Sequence, residues 1–208
     1  MAQLPPRSTP TRADRRRALL LLGAALMAAV AFVARAELLR LWAGARVVAE
    51  GGRLLDRAEV VLQRELYDCG PAALATLRHL VGLPPISLDS IAHLAGTTRA
   101  GTSAEGLASA SIELGFKIHF TRLPGMPGPD FGPFIAWVRT SHFVVARALP
   151  DGRVLIHDPS VGRYLIERDG FERIWTGESL VTAPRGPRSA TLAEPDSPVR
   201  IIATGRLP

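Results

Sequence analysis

The sequence contains a single cysteine, and its neighbours give it the setting of a nucleophile. Cys69 lies in the stretch Gln63-Arg64-Glu65-Leu66-Tyr67-Asp68-Cys69-Gly70-Pro71-Ala72-Ala73-Leu74, at the mouth of a predicted helix. Unpaired backbone N–H groups and the helix dipole favour an anion there, which lowers a thiol from its ordinary value of about 8.5. Asp68 has the side chain of a good N-cap, although its charge opposes that lowering. Acyl transfer by a thiolate needs a base that can later protonate the leaving amine, and donors for the tetrahedral oxyanion. His142 opens the apolar run His142-Phe143-Val144-Val145-Ala146, and Asp158 closes Val154-Leu155-Ile156-His157-Asp158. Asp151-Gly152 between them is a hairpin signal, so a hairpin would bring imidazole and carboxylate together. His157 is the rival base because it adjoins Asp158. Successive strand residues face opposite ways, so an Asp158 turned toward the thiol turns His157 away and favours His142. Gln63, six residues before Cys69, offers a side-chain amide as one oxyanion donor, with the Cys69 N–H as the other. His79, His93 and His119 read as surface or helix-face residues.

The elements that must hold these residues change character along the chain. Pro71 near the first turn, followed by good helix formers, predicts a helix after Cys69. A short helix follows around Leu88–Leu94. A third begins at Thr102-Ser103-Ala104-Glu105, which fits a capping box, and stops at Gly115. Strands are then expected over Phe116–Thr121, Phe134–Val138, His142–Ala148, Val154–His157, Tyr164–Ile166 and Leu180–Thr182, with a short helix near Phe171–Trp175. Helices first and an antiparallel sheet second indicate an α+β fold. Val199–Ile202 could add an edge strand.

Five spans are expected: a basic N-terminus over 1–17, a hydrophobic N-terminal helix over 18–36, a connector over 37–60, the catalytic domain over 61–183 and a C-terminal extension over 184–208. The run Ala18–Ala34 is uncharged and follows Arg15-Arg16-Arg17. It reads as a transmembrane anchor or as a signal segment, with Ala34-Arg35-Ala36 as an A-x-A site, and the three arginines also permit a twin-arginine reading. Positive charge is denser before the run than after it, which keeps the N-terminus in the cytoplasm and the rest outside. The expected location is therefore a bacterial inner membrane with an extracytoplasmic catalytic domain, or export after cleavage. The connector is read as a juxtamembrane helix broken at Gly51-Gly52.

Composition narrows the chemistry. The net charge of +6 over 208 residues is concentrated before the apolar run, and the remainder lacks the basic stripe with interleaved aromatics that nucleic acid requires. One cysteine excludes an intrachain disulfide and a cysteine-based zinc cluster, and the five histidines show no H-E-x-x-H spacing, so no metal or cofactor is expected. Lys117 is the only lysine and no G-x-x-x-x-G-K-[ST] surrounds it, so ATP hydrolysis is not expected.

Together these motifs resemble the C39 peptidases, which remove double-glycine leader peptides from bacteriocin and peptide-pheromone precursors. The resemblance rests on Gln63 six residues before Cys69, on the context Asp68-Cys69-Gly70-Pro71-Ala72-Ala73-Leu74, and on Asp158-Pro159 sixteen residues after His142. It covers about Val60 to Thr182. It implies a papain-like fold and a cysteine peptidase in which Cys69 is the nucleophile, His142 the base, Asp158 its orienting partner and Gln63 an oxyanion donor. The implied substrate is a peptide cut after double-glycine or small residues. Two alternatives stay open: a peptide-binding module that serves a separately encoded secretion system without cutting, and an amidase or transpeptidase acylated at the same thiol. Many members of that family are joined to an ABC exporter and work in the cytoplasm, whereas the charge pattern here places the domain on the other side.

Overall fold

Alternating apolar side chains make the second half of the chain a sheet that is buried on both faces. The computed structural model describes residues 12–182, apart from the side chains of 13, 14, 32–34 and 36. Among the described residues the strands are β1 (Arg53–Leu54), β2 (Ile118–Arg122), β3 (Phe134–Val138), β4 (His142–Ala148), β5 (Arg153–Asp158), β6 (Gly162–Glu167) and β7 (Trp175–Thr182). They form one seven-stranded sheet in the order β1-β6-β5-β4-β3-β7-β2, and every pairing is antiparallel. The helices are α1 (Arg12–Ala49), α2 (Cys69–Leu80), α3 (Leu88–Leu94), α4 (Ala104–Glu113) and α5 (Arg168–Ile174). This is the α+β arrangement expected from the order of elements.

Two cores follow from the period of two along each strand. Phe134, Ala136, Val144, Ala146, Val154, Ile156, Tyr164 and Ile166 face one way, where Phe171 of α5 and Val47 of α1 pack on them. Ile135, Phe143, Val145 and Leu180 face the other way, against Leu74 and Leu77 of α2, Ile91 of α3 and Leu107 of α4. The sheet is thus sandwiched between α2–α4 and a thinner layer made by α5 and the end of α1. That thin layer carries the core row of β4 and β5 from which the candidate site extends.

Several elements differ from the sequence reading, each for a local reason. α1 runs unbroken from the expected hydrophobic segment into the first part of the connector. It ends at Ala49, where Gly51 takes a left-handed backbone and Gly52 donates to the Val47 carbonyl at 2.9 Å. The chain then adds β1 to the sheet edge instead of resuming a helix. Among the described residues no helix is long and apolar enough to cross a membrane. The described apolar side chains run from Ala18 to Ala31, about 21 Å of helix against about 30 Å of bilayer hydrocarbon, and 32–34 and 36 lie outside them. α4 starts one residue later than the capping box implied: Ser103 is the N-cap and accepts from the Gly106 N–H at 3.0 Å, so Glu105 is not the reciprocal partner. Asp68 occupies the N-cap of α2 without a side-chain cap, and lies 3.7 Å from Arg64 instead. The strand proposed at Val199–Ile202 lies outside the described residues, as do the spans 1–11 and 183–208.

Gly162 closes the turn after Asp158 and is the glycine on which the site most depends. Its φ is +116°, and a Cβ there would stand 2.6 Å from the Asp56 carbonyl oxygen. Backbone cannot retreat as a flexible side chain can. Gly162→Ala is therefore expected to cost about 2–4 kcal/mol, from the strained conformation and the overlap together, read as a lowered denaturation midpoint of the full chain. An unchanged midpoint would show that the loop carrying Asp56 does not pack on this turn.

Candidate active site

Sheet register brings the first pair of chemical groups together. Val145 pairs with His157 and Ala146 with Ile156, so the continued register sets Asp158 opposite Val144. His142 is then its diagonal neighbour on the same face, within reach of a side-chain contact. The contact forms: His142 Nε2 lies 2.8 Å from Asp158 Oδ1. The same carboxylate oxygen accepts from the Ser160 backbone N–H at 2.8 Å and from the Ser160 hydroxyl at 2.6 Å. Asp158 is only 1% exposed, and burial alone would raise its pKa. The His142 charge and hydrogen bond and the two Ser160 donors outweigh burial and hold it below the usual carboxylate range. Ser160 was not anticipated from sequence. An Asp-Pro-Ser turn was the available signal, since a serine two residues after an aspartate can donate back to it.

Cys69 arrives from the opposite side of the sheet. It is the first residue of α2, is 7% exposed, and packs in the core that contains Phe143 and Leu74. Burial raises its pKa, but the hydrogen bond and charge of His142, with the backbone N–H groups of Phe143 and Gly70, bring the net shift below the ordinary thiol value. For His142, burial disfavours the cation, yet the Asp158 carboxylate and the thiol overcome this and raise the imidazole to about 10. The two shifts describe one coupled pair, thiolate and imidazolium, with Nε2 turned to Asp158 and the other ring nitrogen available to sulfur.

Gln63 also reaches this region. Its backbone N–H donates to the Pro159 carbonyl at 2.9 Å, which ties the segment before Cys69 to the turn after Asp158. Its side-chain amide donates to the Glu65 carbonyl at 2.9 Å, and its Oε1 is buried without a partner. An amide nitrogen has two hydrogens, so one donor remains. His157 is separated from this group: it is 1% exposed, neither ring nitrogen has a hydrogen-bond partner, Glu59 lies 3.9 Å from Nε2, and burial pushes it down to about 4. Among the described residues no group of three or more His, Cys, Asp or Glu is placed to hold a metal ion.

A cavity of about 560 Å³ opens beside His142, Asp158, Ser160 and Gln63. Its far wall is α1, through Arg35, Leu39, Trp42, Ala43 and Arg46. Cys69 does not line it, so the cavity flanks the thiol from the carboxylate side. Neither the participation of α1 nor the cavity was legible in the sequence, because the segment read as a connector.

The arrangement can therefore bring a thiolate, a protonated base and an orienting carboxylate together. An uncharacterized protein of Methanothermobacter marburgensis is 35% identical over 123 residues, 59% of this chain and 86% of that protein. The crystal structure of the peptidase domain of Streptococcus ComA, a bifunctional ABC transporter involved in a quorum-sensing pathway, is similar with a TM-score of 0.54 and 30% identity, covering 61% of this chain and 98% of that one. A double-glycine motif protease from an AMS/PCAT transporter, solved in complex with the leader peptide, has a TM-score of 0.52 and 26% identity, covering 59% of this chain and 88% of that one. The model of the Peptidase C39 family matches residues 57–186, and with more than half of the chain inside that match, the protein belongs to the Peptidase C39 family.

Proposed function

We propose that this protein is a cysteine peptidase that cuts peptides after double-glycine or other small residues, with Cys69 as nucleophile, His142 as acid and base, Asp158 as the orienting carboxylate and Gln63 as an oxyanion donor. The observation that carries the reading is the buried His142–Asp158 contact of 2.8 Å together with a thiol on the first residue of α2 that the His142 charge draws below its ordinary pKa. In the acylation step the Cys69 thiolate attacks the scissile carbonyl carbon and a C–S bond forms. The carbonyl oxygen becomes an oxyanion facing the Cys69 N–H and the second Gln63 amide hydrogen, and collapse breaks the C–N bond as imidazolium protonates the leaving amine. Neutral His142 then takes a proton from water, the hydroxide adds to the thioester, and the C–S bond breaks to return thiolate, imidazolium and a carboxylic acid product. Gln63 must exchange its bond to Glu65 or use its remaining hydrogen; either keeps it within the turn that leads to Cys69. The papain-like description belongs to this proposal as well, since it states how helix and sheet share the chemistry.

The proposed location is a membrane, with the catalytic domain on its extracytoplasmic face. Leu19, Leu20, Leu21, Leu22, Leu26, Met27 and Val30 all stand exposed on α1, at 54–74% of their surface, which water does not favour and lipid does. Arginines precede that stretch. The protein is expected to stay with bacterial membranes after a high-salt wash and to leave with detergent; release by salt alone would count against the anchor.

Two measurements test the chemistry. Alkylation of the full chain by iodoacetamide should follow a pH profile whose midpoint lies below that of a free thiol, about 8.5. In His142→Ala the charge and hydrogen bond are lost while burial remains, so the midpoint should rise and the rate near neutral pH should fall about tenfold or more. A profile at or above the free-thiol value in the unmutated chain would remove the thiolate from the mechanism. Second, the full chain and Cys69→Ala are incubated with peptides bearing Gly-Gly and other small-residue sites, and the products are read by mass spectrometry. Cleavage by the unmutated chain alone, with a transient acyl adduct on Cys69, is expected. If peptides are bound by both and cut by neither, the protein is a binding module.

A further inference from the structure

Between β1 and α2, residues 55–68 contain no helix or strand, yet an oxyanion donor at Gln63 must be held to within a hydrogen bond of its target. The anchors inside the segment are few. The Val61 N–H donates to the Thr76 hydroxyl of α2 at 3.0 Å, and the Gln63 N–H donates to the Pro159 carbonyl at 2.9 Å. Just upstream the chain turns through Glu59 at a φ of +59°, without a glycine's freedom. Such a conformation persists only where the surroundings determine it.

Arg163, the second residue of β6, supplies that determination. Its Nε and Nη2 donate to the two Asp56 carboxylate oxygens at 2.7 and 2.8 Å, and its Nη1 donates to Glu59 Oε2 at 2.8 Å. The backbone adds two more bonds: the Leu55 N–H to the Arg163 carbonyl at 2.9 Å, and the Arg163 N–H to the Asp56 carbonyl at 2.6 Å. Asp56 Oδ1 also accepts from the Ala58 N–H at 3.0 Å, which starts the turn toward Glu59. The imidazole of His157 lies 3.9 Å from Glu59, but burial pushes it down to about 4, so near neutral pH it carries no charge and leaves Glu59 to Arg163. Arg163 directly follows the turn that runs from Asp158 through Ser160 to Gly162. One side chain thus links the turn behind the orienting carboxylate to the segment in front of the thiol.

We propose that Arg163 is a positioning residue: by gripping Asp56 and Glu59 it holds residues 56–63 against the β5–β6 turn, so that the Gln63 amide meets the developing oxyanion. This rests on the peptidase reading and deepens it. The side chains of Arg163, Asp56 and Glu59 are 21%, 56% and 49% exposed, and ion pairs so open to water contribute little to folding. Losing the grip therefore changes where Gln63 sits and not whether the chain folds.

Cleavage of a peptide with a Gly-Gly site is measured in mild detergent for the full chain, for Arg163→Ala, Arg163→Lys and Gln63→Ala, and for Arg163→Ala combined with Gln63→Ala. Arg163→Ala should lower kcat about tenfold or more while KM stays within about twofold of the parent. Arg163→Lys should recover only part of the loss, since an ammonium lacks the planar fork that holds both carboxylates. With Gln63 already replaced, Arg163→Ala should change kcat by less than about twofold, because the group it positions is gone. Hydrogen exchange at the Gln63 N–H needs no turnover and should be about tenfold faster in Arg163→Ala, with the unfolding midpoint and the pH profile of Cys69 alkylation near those of the parent. Unchanged exchange at Gln63, or the same loss of kcat with and without the Gln63 side chain, overturns the proposal. So does a loss of kcat that comes with a lowered unfolding midpoint and a shifted alkylation profile, since Arg163 would then only support the fold. If the unmutated chain cuts no peptide, the peptidase reading fails, and exchange at Gln63 alone decides whether Arg163 holds the segment.

Discussion

A charge removed from water constrains everything around it, and in this protein that charge is the Asp158 carboxylate. Leaving such a group unmatched costs several kcal/mol, so its three hydrogen bonds are a condition of the fold as much as a feature of the site. Each comes from a specific structural decision. The β4–β5 register delivers His142, and a turn from Asp158 to Gly162 folds Ser160 back with both its N–H and its hydroxyl. That turn is tight enough to require a glycine at its end, because the segment around Asp56 crosses directly above it. A buried ion pair adds little net stability compared with apolar packing of the same volume. Keeping it is then best understood through the chemistry it permits.

The sheet divides the labour between two consecutive residues of β4. His142 continues the row that meets Asp158, on the face where α1 ends, whereas Phe143 points the other way into the core of α2 and helps to seat Cys69. The Phe143 N–H, lying between them, contributes to stabilising the thiolate. Thiol and imidazole thus approach from different layers of the molecule, and the strand between them sets their meeting. Moving β4 by one residue would exchange the two faces, bury the imidazole among Leu74 and Leu77, and break both halves at once.

Much of this was legible because the relevant signals are local and periodic. The apolar runs Phe134–Val138 and His142–Ala148 marked those strands, and Asp151-Gly152 marked the hairpin that joins the second of them to its neighbour. The opposition of His157 to Asp158 followed from the same period of two. What stayed hidden depends on contacts remote in sequence or on backbone states without a compositional sign. The β3–β4 turn places Arg139 and Thr140 at φ values of +54° and +55°, with no glycine or asparagine to announce it. The edge strand Arg53–Leu54 is two residues long and is ordered by pairing with β6, beyond the reach of any window of local pattern. The last turns of α1 read as a connector because their composition says helix and nothing about what they touch.

The strained turn and the docked helix explain each other. A residue such as Thr140 held at positive φ costs about 1–3 kcal/mol, which persists only where surrounding bonds determine the backbone. Here Arg139 supplies them: its N–H donates to the Ile174 carbonyl at 2.7 Å and its buried guanidinium is paired with Glu50 at the end of α1. His142 stands three residues farther along the same short turn. The ion pair that fixes the base of α1 therefore also fixes the turn from which the imidazole projects, and one side of the cavity and His142 share a single buried contact. Freeing α1 would leave Arg139 as an unpaired buried cation at a strained turn, a cost large enough that helix docking and imidazole placement behave as one cooperative unit.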